Sequence, residues 1–366
     1  MLPRALTLAA GLLLLPTYAA AQAAVMKAPR DPKWTFEVMA GGALATAGGG
    51  SGGTPTFPAG EDFLTEEGRP SRAVPSWFFG DGAALFNDVR AQFAAAGQQF
   101  PQITPIDAAL GSPGMERGAG PTFGARLTRR LTNRVALEFA FQRSAGTMEL
   151  TDEARDAFES ASDSFDAAFR GLFATMPQTG LEVSSTTTLP SGVSGAQRAI
   201  TGALKFTLTR GGRLETYVVA GAGHVANSGT SAQARLRGSY QFRFLDTYAF
   251  SEVDNVTVNY SQKESMIVGV GGAGLMFDLG RRYGIRLDVR VHAGDSSSTT
   301  TLSANPTVNT ASPTLALPSI TTPSIQFSNT AAAKSSLSGK LTETEVFTGS
   351  GLETRVLATA GVYFRF

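Results

Sequence analysis

The chain has 366 residues with 31 basic and 30 acidic side chains, so no net electrostatic pull toward nucleic acid is expected. Its 41 glycines suit strands and long loops and argue against a helical or α/β enzyme, while the absence of cysteine excludes a disulfide scaffold or a cysteine-anchored lipoprotein. Past the amino terminus no stretch supplies about 20 apolar residues, so a membrane crossing would require a closed barrel.

Met1-Leu2-Pro3-Arg4 is a short basic start, Ala5 to Leu15 an apolar stretch, and Ala19-Ala20-Ala21 a small-residue cleavage site before Gln22. Residues 1–21 therefore read as a secretory signal peptide, and 22–366 as the exported domain. A first strand follows, in which Phe36, Val38 and Ala40 alternate with Thr35, Glu37 and Met39. The long connection at about 42–118 opens with a Gly-rich run, Ala47 to Gly53. It later carries a helical stretch from about Gly82 to Gln98, with Leu85, Val89, Phe93 and Ala96 on one face.

Phe123, Ala125 and Leu127 then oppose Thr122, Gly124 and Arg126. After a tight Arg129–Arg134 turn, Val135, Leu137, Phe139 and Phe141 oppose Glu138 and Gln142. The second long connection, about 144–198, holds a stronger helix from Asp152 to Phe173. Its apolar face bears Phe158, Phe165, Phe169, Leu172 and Phe173, opposite Asp156, Glu159, Asp163 and Asp166. Thr151 followed by Asp152 and Glu153 suits an amino-terminal cap. A Phe-lined mouth for an apolar ligand is one use of that face. The favoured one is burial of the two helices against each other as a cap.

Ile200, Leu204, Phe206 and Leu208 oppose Thr201, Lys205 and Thr207. The turn Arg210–Arg213 leads into Leu214 to Ala222, whose small residues leave its facing open. In the third long connection, about 225–264, Tyr240, Phe242 and Phe244 alternate with polar residues, and so do Val256, Val258 and Tyr260. They read as extensions of the fifth and sixth strands beyond the membrane, with a ten-stranded barrel as the alternative. Ile267, Leu275, Phe277 and Leu279 oppose Asp278; after the turn Gly280–Gly284, Ile285, Leu287, Val289 and Val291 oppose Arg286, Asp288, Arg290 and His292. The fourth long connection, about 293–352, is rich in Ser, Thr, Asn and Pro. The eighth strand counts back in twos through Phe366, Phe364, Val362, Ala360, Ala358 and Val356, against Arg365, Thr359 and Arg355.

Short and long connections thus alternate without exception, and each short one carries arginine that either meets lipid phosphates or is simply solvated. The terminal run, with Val362, Phe364 and Phe366 at alternate positions, resembles the carboxy-terminal assembly signal of bacterial outer-membrane β-barrels. Across its strands and both ends the chain resembles the small outer-membrane barrels of OmpA/OmpX type; the loops fall outside the resemblance. That resemblance implies an all-β, eight-stranded antiparallel transmembrane β-barrel with long extracellular loops carrying short helices. It also implies the outer membrane of a Gram-negative-type bacterium, with outer-membrane lipids and the barrel-assembly machinery as partners. No periplasmic peptidoglycan-binding domain is expected after the last strand.

Alternation alone does not tell inside from outside. The signal peptide and terminal Phe place the apolar set outward and the polar set in the lumen, where Glu37, Arg126, Glu138, Lys205, Asp278, Arg286, Asp288, Arg290 and Arg355 are expected to form a connected network. Eight strands leave an interior only just filled by side chains, so a general diffusion pore is not expected.

Catalytic and metal signals are weak. His224 is followed by Val225-Ala226 and His292 by Ala293-Gly294, so the His-x-Ser motif of the lipid A deacylases is missing. No catalytic residue, cofactor or metal site is assigned. The expectation is a non-enzymatic barrel whose loops serve surface interaction or envelope integrity. A narrow channel or carrier for small hydrophobic molecules is the alternative, and a lipid-modifying enzyme the third reading. An extracellular or hydrophobic ligand is the partner these would take.

Overall fold

The computed structural model describes residues 33–44, 46–47, 51–52, 54–65, 68–175, 180–244, 248–309, 320–321, 325–327 and 334–366. The signal-peptide reading of 1–21 lies outside them, as does most of the Gly-rich run. The principal elements, in chain order, are β1 (Trp34–Ala43), α1 (Gly80–Ala95), α2 (Asp107–Leu110), β2 (Met115–Arg117), β3 (Gly120–Arg130), β4 (Val135–Leu150) and α3 (Asp152–Ala174). They continue with β5 (Gly180–Thr188), β6 (Val193–Gly211), β7 (Leu214–Asn227), β8 (Ser231–Phe244), β9 (Tyr248–Gln262), β10 (Ser265–Asp278), β11 (Tyr283–Ala304) and β12 (Thr342–Arg365).

Eight of these strands close a ring. β1 pairs with β3, then β4, β6, β7, β10, β11 and β12 follow, and β12 returns to β1, every pair antiparallel. The seam sets Phe36 opposite Phe364 and Val38 opposite Val362. A closed ring leaves no free edge in its wall. The three short turns are held by local bonds, such as Leu131 N–H to the Val135 carbonyl at 2.9 Å and Leu279 N–H to that of Tyr283 at 3.1 Å. Gly212 takes φ +60° in the β6–β7 turn, a left-handed position that favours glycine.

The ring inverts the usual polarity of a folded domain. Val38, Phe123, Ile200, Ile267 and Val362 are 58–78% exposed on its outside, whereas Arg126, Arg286, Arg290 and Arg355 are at most 2% exposed within it. Alternation along each strand builds this arrangement, because neighbouring side chains point to opposite faces. On β7, whose facing the sequence left open, Glu215, Tyr217 and Val219 turn inward and Leu214 outward.

Beyond the apolar belt the strands continue. β11 keeps its parity, but its outward residues become Asp295, Ser297 and Thr299, while its inward ones run from His292 through Ser296 and Thr300 to Leu302 and Ala304. Much of what was expected as long loop is therefore strand. Outward apolar residues stop at the belt edge, so the membrane-type pattern ended before the pairing did. The β8–β9 hairpin does not enter the ring. It prolongs β7 and β10 past kinks at 228–230 and 263–264, bridged by Asn227 N–H to the Glu264 carbonyl at 2.6 Å. β5 adds to β8 on one side, and β9 pairs with the upper part of β11 on the other.

This raised wall carries its own core of ordinary polarity, filled by the helices. Phe158, Phe165, Phe169, Leu172 and Phe173 of α3 are fully buried, and Thr151 caps the helix by accepting from the Ala154 N–H at 3.2 Å. A Cβ at Gly238 of β8 would sit 2.6 Å from the Phe165 ring, so the missing side chain lets α3 lie against the sheet. The face expected for α1 needs correction. Gly82, Ala83, Phe86 and Val89 are its buried residues; Leu85 and Phe93 are only half-buried, and Ala96 is an exposed cap residue. The chain enters α1 through buried Trp77, Phe78 and Phe79, which turn Phe86 inward between Trp77, Phe100 and Phe169.

Candidate functional site

The lumen holds an interlocked charge cluster. Arg126 contributes ion pairs of 3.0 Å to Glu37, 3.1 Å to Glu138 and 3.0 Å to Asp288. Arg286 reaches Glu37 at 3.2 Å, Glu138 at 2.9 Å and Asp288 at 2.8 Å. Arg290 lies 3.0 Å from Asp288 and also bonds Glu138. Three guanidiniums thus meet three carboxylates, supplied by β1, β3, β4 and β11. Burying such charges is costly unless each is paired and hydrogen-bonded. Sharing every carboxylate between arginines supplies the pairing, while Arg126 Nε and Nη2, Arg290 Nη1 and Glu138 Oε2 have no hydrogen-bond partner among the described residues.

Tyr217 ties this cluster to a second one. Its hydroxyl donates to Asp288 at 3.0 Å and accepts from Arg286 Nε at 2.5 Å. Arg286 lies 4.4 Å over its ring centroid, and Lys205 lies 4.7 Å from the same centroid. A Cβ at Gly274 would overlap the Tyr217 hydroxyl, so glycine there makes the placement possible. Lys205 pairs with Glu215 at 2.7 Å. Asp278 stands apart from the central cluster, accepting from Arg365 at 2.8 Å and from Tyr363 near the short turns. Arg355 is inward and buried but makes none of these bonds. The expected single network therefore resolves into a central cluster, a Lys205–Glu215 pair, an Asp278–Arg365 pair and a separate Arg355.

Above the lumen, the Phe face of α3 is consumed by packing. Phe169 lies 4.5 Å from Phe165, 4.9 Å from Phe86 and 4.5 Å from Tyr240 by ring centroids; Phe173 lies 4.7 Å from Phe242. These rings form no open mouth. Within this core Glu252 and Asp254 of β9 are buried carboxylates. Asp254 accepts from Ser76 Oγ and the Trp77 N–H, both at 2.7 Å; Glu252 accepts from Tyr240 Oη at 2.6 Å and Trp77 Nε1 at 3.1 Å. Burial pushes Asp254 up to about 7, with the Glu252 charge adding and the Trp77 and Ser76 bonds opposing. Burial raises Glu252 as well. On the outer side, Arg170, Glu182, Arg237, Ser239 and Gln241 line an open polar groove of about 500 Å³ between α3 and the wall.

The histidines do not converge: His224 is exposed on the outside of the ring and His292 is buried within it. Sequence reasoning missed Glu215 and Tyr217 because the small residues of β7 allowed either facing. It missed Glu252 and Asp254 because they alternate with Ser251, Val253 and Asn255, a pattern in which neither face looks apolar. Arg117, on the three-residue β2, gave no periodicity to read.

No protein-family model matches the sequence, and no curated protein matches it. Among solved structures, the outer membrane protein OprG from Pseudomonas aeruginosa is similar at 10% identity and TM-score 0.35, over 92% of this chain and 98% of that one. CarO from Acinetobacter baumannii is similar at 14% identity and TM-score 0.27, over 67% of this chain and 92% of its own. The outer membrane protease OmpT from Escherichia coli follows at 8% identity and TM-score 0.25, over 91% and 97%. The ring is closed by its own strand pairing and does not depend on these likenesses.

Proposed function

We propose that the chain is a non-enzymatic outer-membrane barrel with a closed lumen, whose raised wall and helical cap serve surface interaction or envelope integrity. The central observation is Arg286, which engages Glu37, Glu138 and Asp288 from the middle of the ring. An eight-stranded ring has room for little else there. The apolar belt supports the membrane, since exposed Phe and Ile side chains at this density would be unfavourable in water. Outer-membrane lipids are the partners of that belt, and the barrel-assembly machinery is the partner of Val362, Phe364 and Phe366. The polar groove beside Arg170 and Glu182 is the part of the cap best suited to an extracellular ligand.

A carrier for small hydrophobic molecules is less well supported, because Phe158, Phe165, Phe169 and Phe173 are spent on packing. The enzyme reading finds no support in the separated histidines. Planar-bilayer recording of the purified full chain tests the proposal. No resolvable ion conductance, and unchanged uptake of small apolar solutes on deletion, are expected. Steady open-channel conductance, or uptake lost on deletion, would overturn it.

A further inference from the structure

Between the central charge cluster and the aromatic cap lies a second group of inward cations with a different character. His292 stands directly opposite Arg355 across the β11–β12 ladder, two residues above Arg290 on the same face. Arg117 projects inward from β2. Its Nη1 occupies the room left at Gly195, where a Cβ would lie 2.8 Å away. Arg117 and Arg355 are each 2% exposed and His292 4%. Nε, Nη1 and Nη2 of Arg355, both terminal nitrogens of Arg117, and both ring nitrogens of His292 have no hydrogen-bond partner among the described residues.

The contrast with the central cluster is chemical. There every guanidinium makes ion pairs with carboxylates, even though Arg126 Nε and Nη2 and Arg290 Nη1 are also without a hydrogen-bond partner among the described residues. Here Arg355 is under the electrostatic influence of Arg117 and of Glu353, and Arg117 under that of Glu353. Two guanidiniums against one carboxylate leave a positive charge in excess, together with several buried donors that have no partner among the described residues. Buried polar groups are normally paired, and unpaired ones call for an explanation. The donors here are forks, whose parallel N–H groups suit the two oxygens of a planar carboxylate.

We propose that Arg117 and Arg355 form a binding site for a small monocarboxylate anion, with His292 beside it. One carboxylate supplies the missing negative charge and two acceptor oxygens, whereas chloride supplies the charge without the paired geometry. Glu353 sets the preference for a single charge by opposing a second. The site does not require the lumen to conduct.

Line broadening of ¹³C-labelled acetate, titrated against the folded full chain in detergent micelles at constant ionic strength, tests this directly. Saturable broadening is expected, weakly competed by chloride. Arg355→Met and Arg117→Met should each weaken binding by about tenfold or more, the scale of a lost charged hydrogen bond, while Glu353→Gln strengthens it. Heat-dependent gel mobility reports whether each variant folds. Where a Met variant does not, Arg355→Lys keeps the charge, loses the fork and should bind with intermediate strength. Linear, unsaturable broadening with the unaltered protein would mean that water alone serves these donors and would overturn the proposal. So would equal competition by chloride, or acetate binding unchanged in folded Arg117 and Arg355 variants.

Discussion

The backbone N–H of Trp77 donates to the Asp254 carboxylate at 2.7 Å, joining the first long connection to β9 across 177 residues of chain. Both residues are buried in the cap, and the indole Nε1 of Trp77 reaches the neighbouring Glu252 at 3.1 Å. Two carboxylates in one apolar core make the cap sensitive to pH. Asp254 ordinarily titrates at 3.8, but burial pushes it up to about 7. The folded cap therefore holds a proton that the unfolded chain releases.

The contribution of Asp254 to cap stability should be greatest below about pH 4 and decline as pH rises toward 7, where the folded carboxyl also ionises, and Glu252 acts in the same direction. Tyr240 faces Glu252 as a neutral donor, and Lys334 is the cation that partly offsets it. Asp254→Asn keeps an acceptor for Ser76 and Trp77 while removing the ionisation. It should flatten the pH dependence and raise cap stability at pH 8 by on the order of 2–4 kcal/mol. Hydrogen exchange at the Trp77 amide, measured at pH 5 and pH 8 and corrected for intrinsic rates, checks this; equal slopes in both proteins would contradict it.

Glu138 is shared by Arg126, Arg286 and Arg290 in the lumen. Glu138→Ala leaves three guanidiniums with two carboxylates in a buried space, and should cost about 3–5 kcal/mol, the scale for breaking a buried pair. Adding Arg290→Met restores equal numbers of each sign and should recover part of the loss. The midpoint of the heat-dependent mobility shift on gels reads both. A double variant weaker than the sum of the singles would show that the cluster is not acting as a neutral unit.

The cap and ring have separate cores, so damage to one should spare the other. Phe169 touches Trp77, Phe86, Phe165, Phe173 and Tyr240. Phe169→Ala should destabilise the cap by about 3–5 kcal/mol, as for a large core aromatic, while the barrel keeps its heat-dependent mobility. Limited proteolysis should then cut within the first two long connections and leave the ring strands resistant. Loss of the mobility shift would mean that the cap holds the barrel shut.

The ring was legible in the sequence because its apolar outside and polar inside impose opposite demands on successive residues, as in Leu287-Asp288-Val289-Arg290. The raised wall was less so. Once β11 passes Val291 its outside becomes Ser and Thr, a pattern shared with any polar loop, and only pairing with β9 and β12 makes it strand. Within the lumen, facing could be read but reach could not. Arg355 and Arg286 share a parity class with the other inward arginines, yet only Arg286 extends to the central carboxylates. Side-chain partners depend on strand stagger, which period-2 alternation does not encode.

Phe366 separates assembly from stability. Its backbone closes the seam, donating to the Trp34 carbonyl at 3.0 Å and accepting from the Trp34 N–H at 3.1 Å, while its ring is 57% exposed and stacks on Phe364. Phe366→Ala retains both backbone bonds and removes only a ring on the outer surface. The refolded variant should therefore match the unaltered protein in its mobility-shift midpoint. If the ring is read by the assembly machinery, the same variant expressed in cells should reach the outer-membrane fraction in clearly lower amount and accumulate as periplasmic or degraded chain. Equal amounts in the membrane fraction would remove the assembly role from this residue. A lowered midpoint after refolding would instead place its contribution in the seam, through stacking with Phe364.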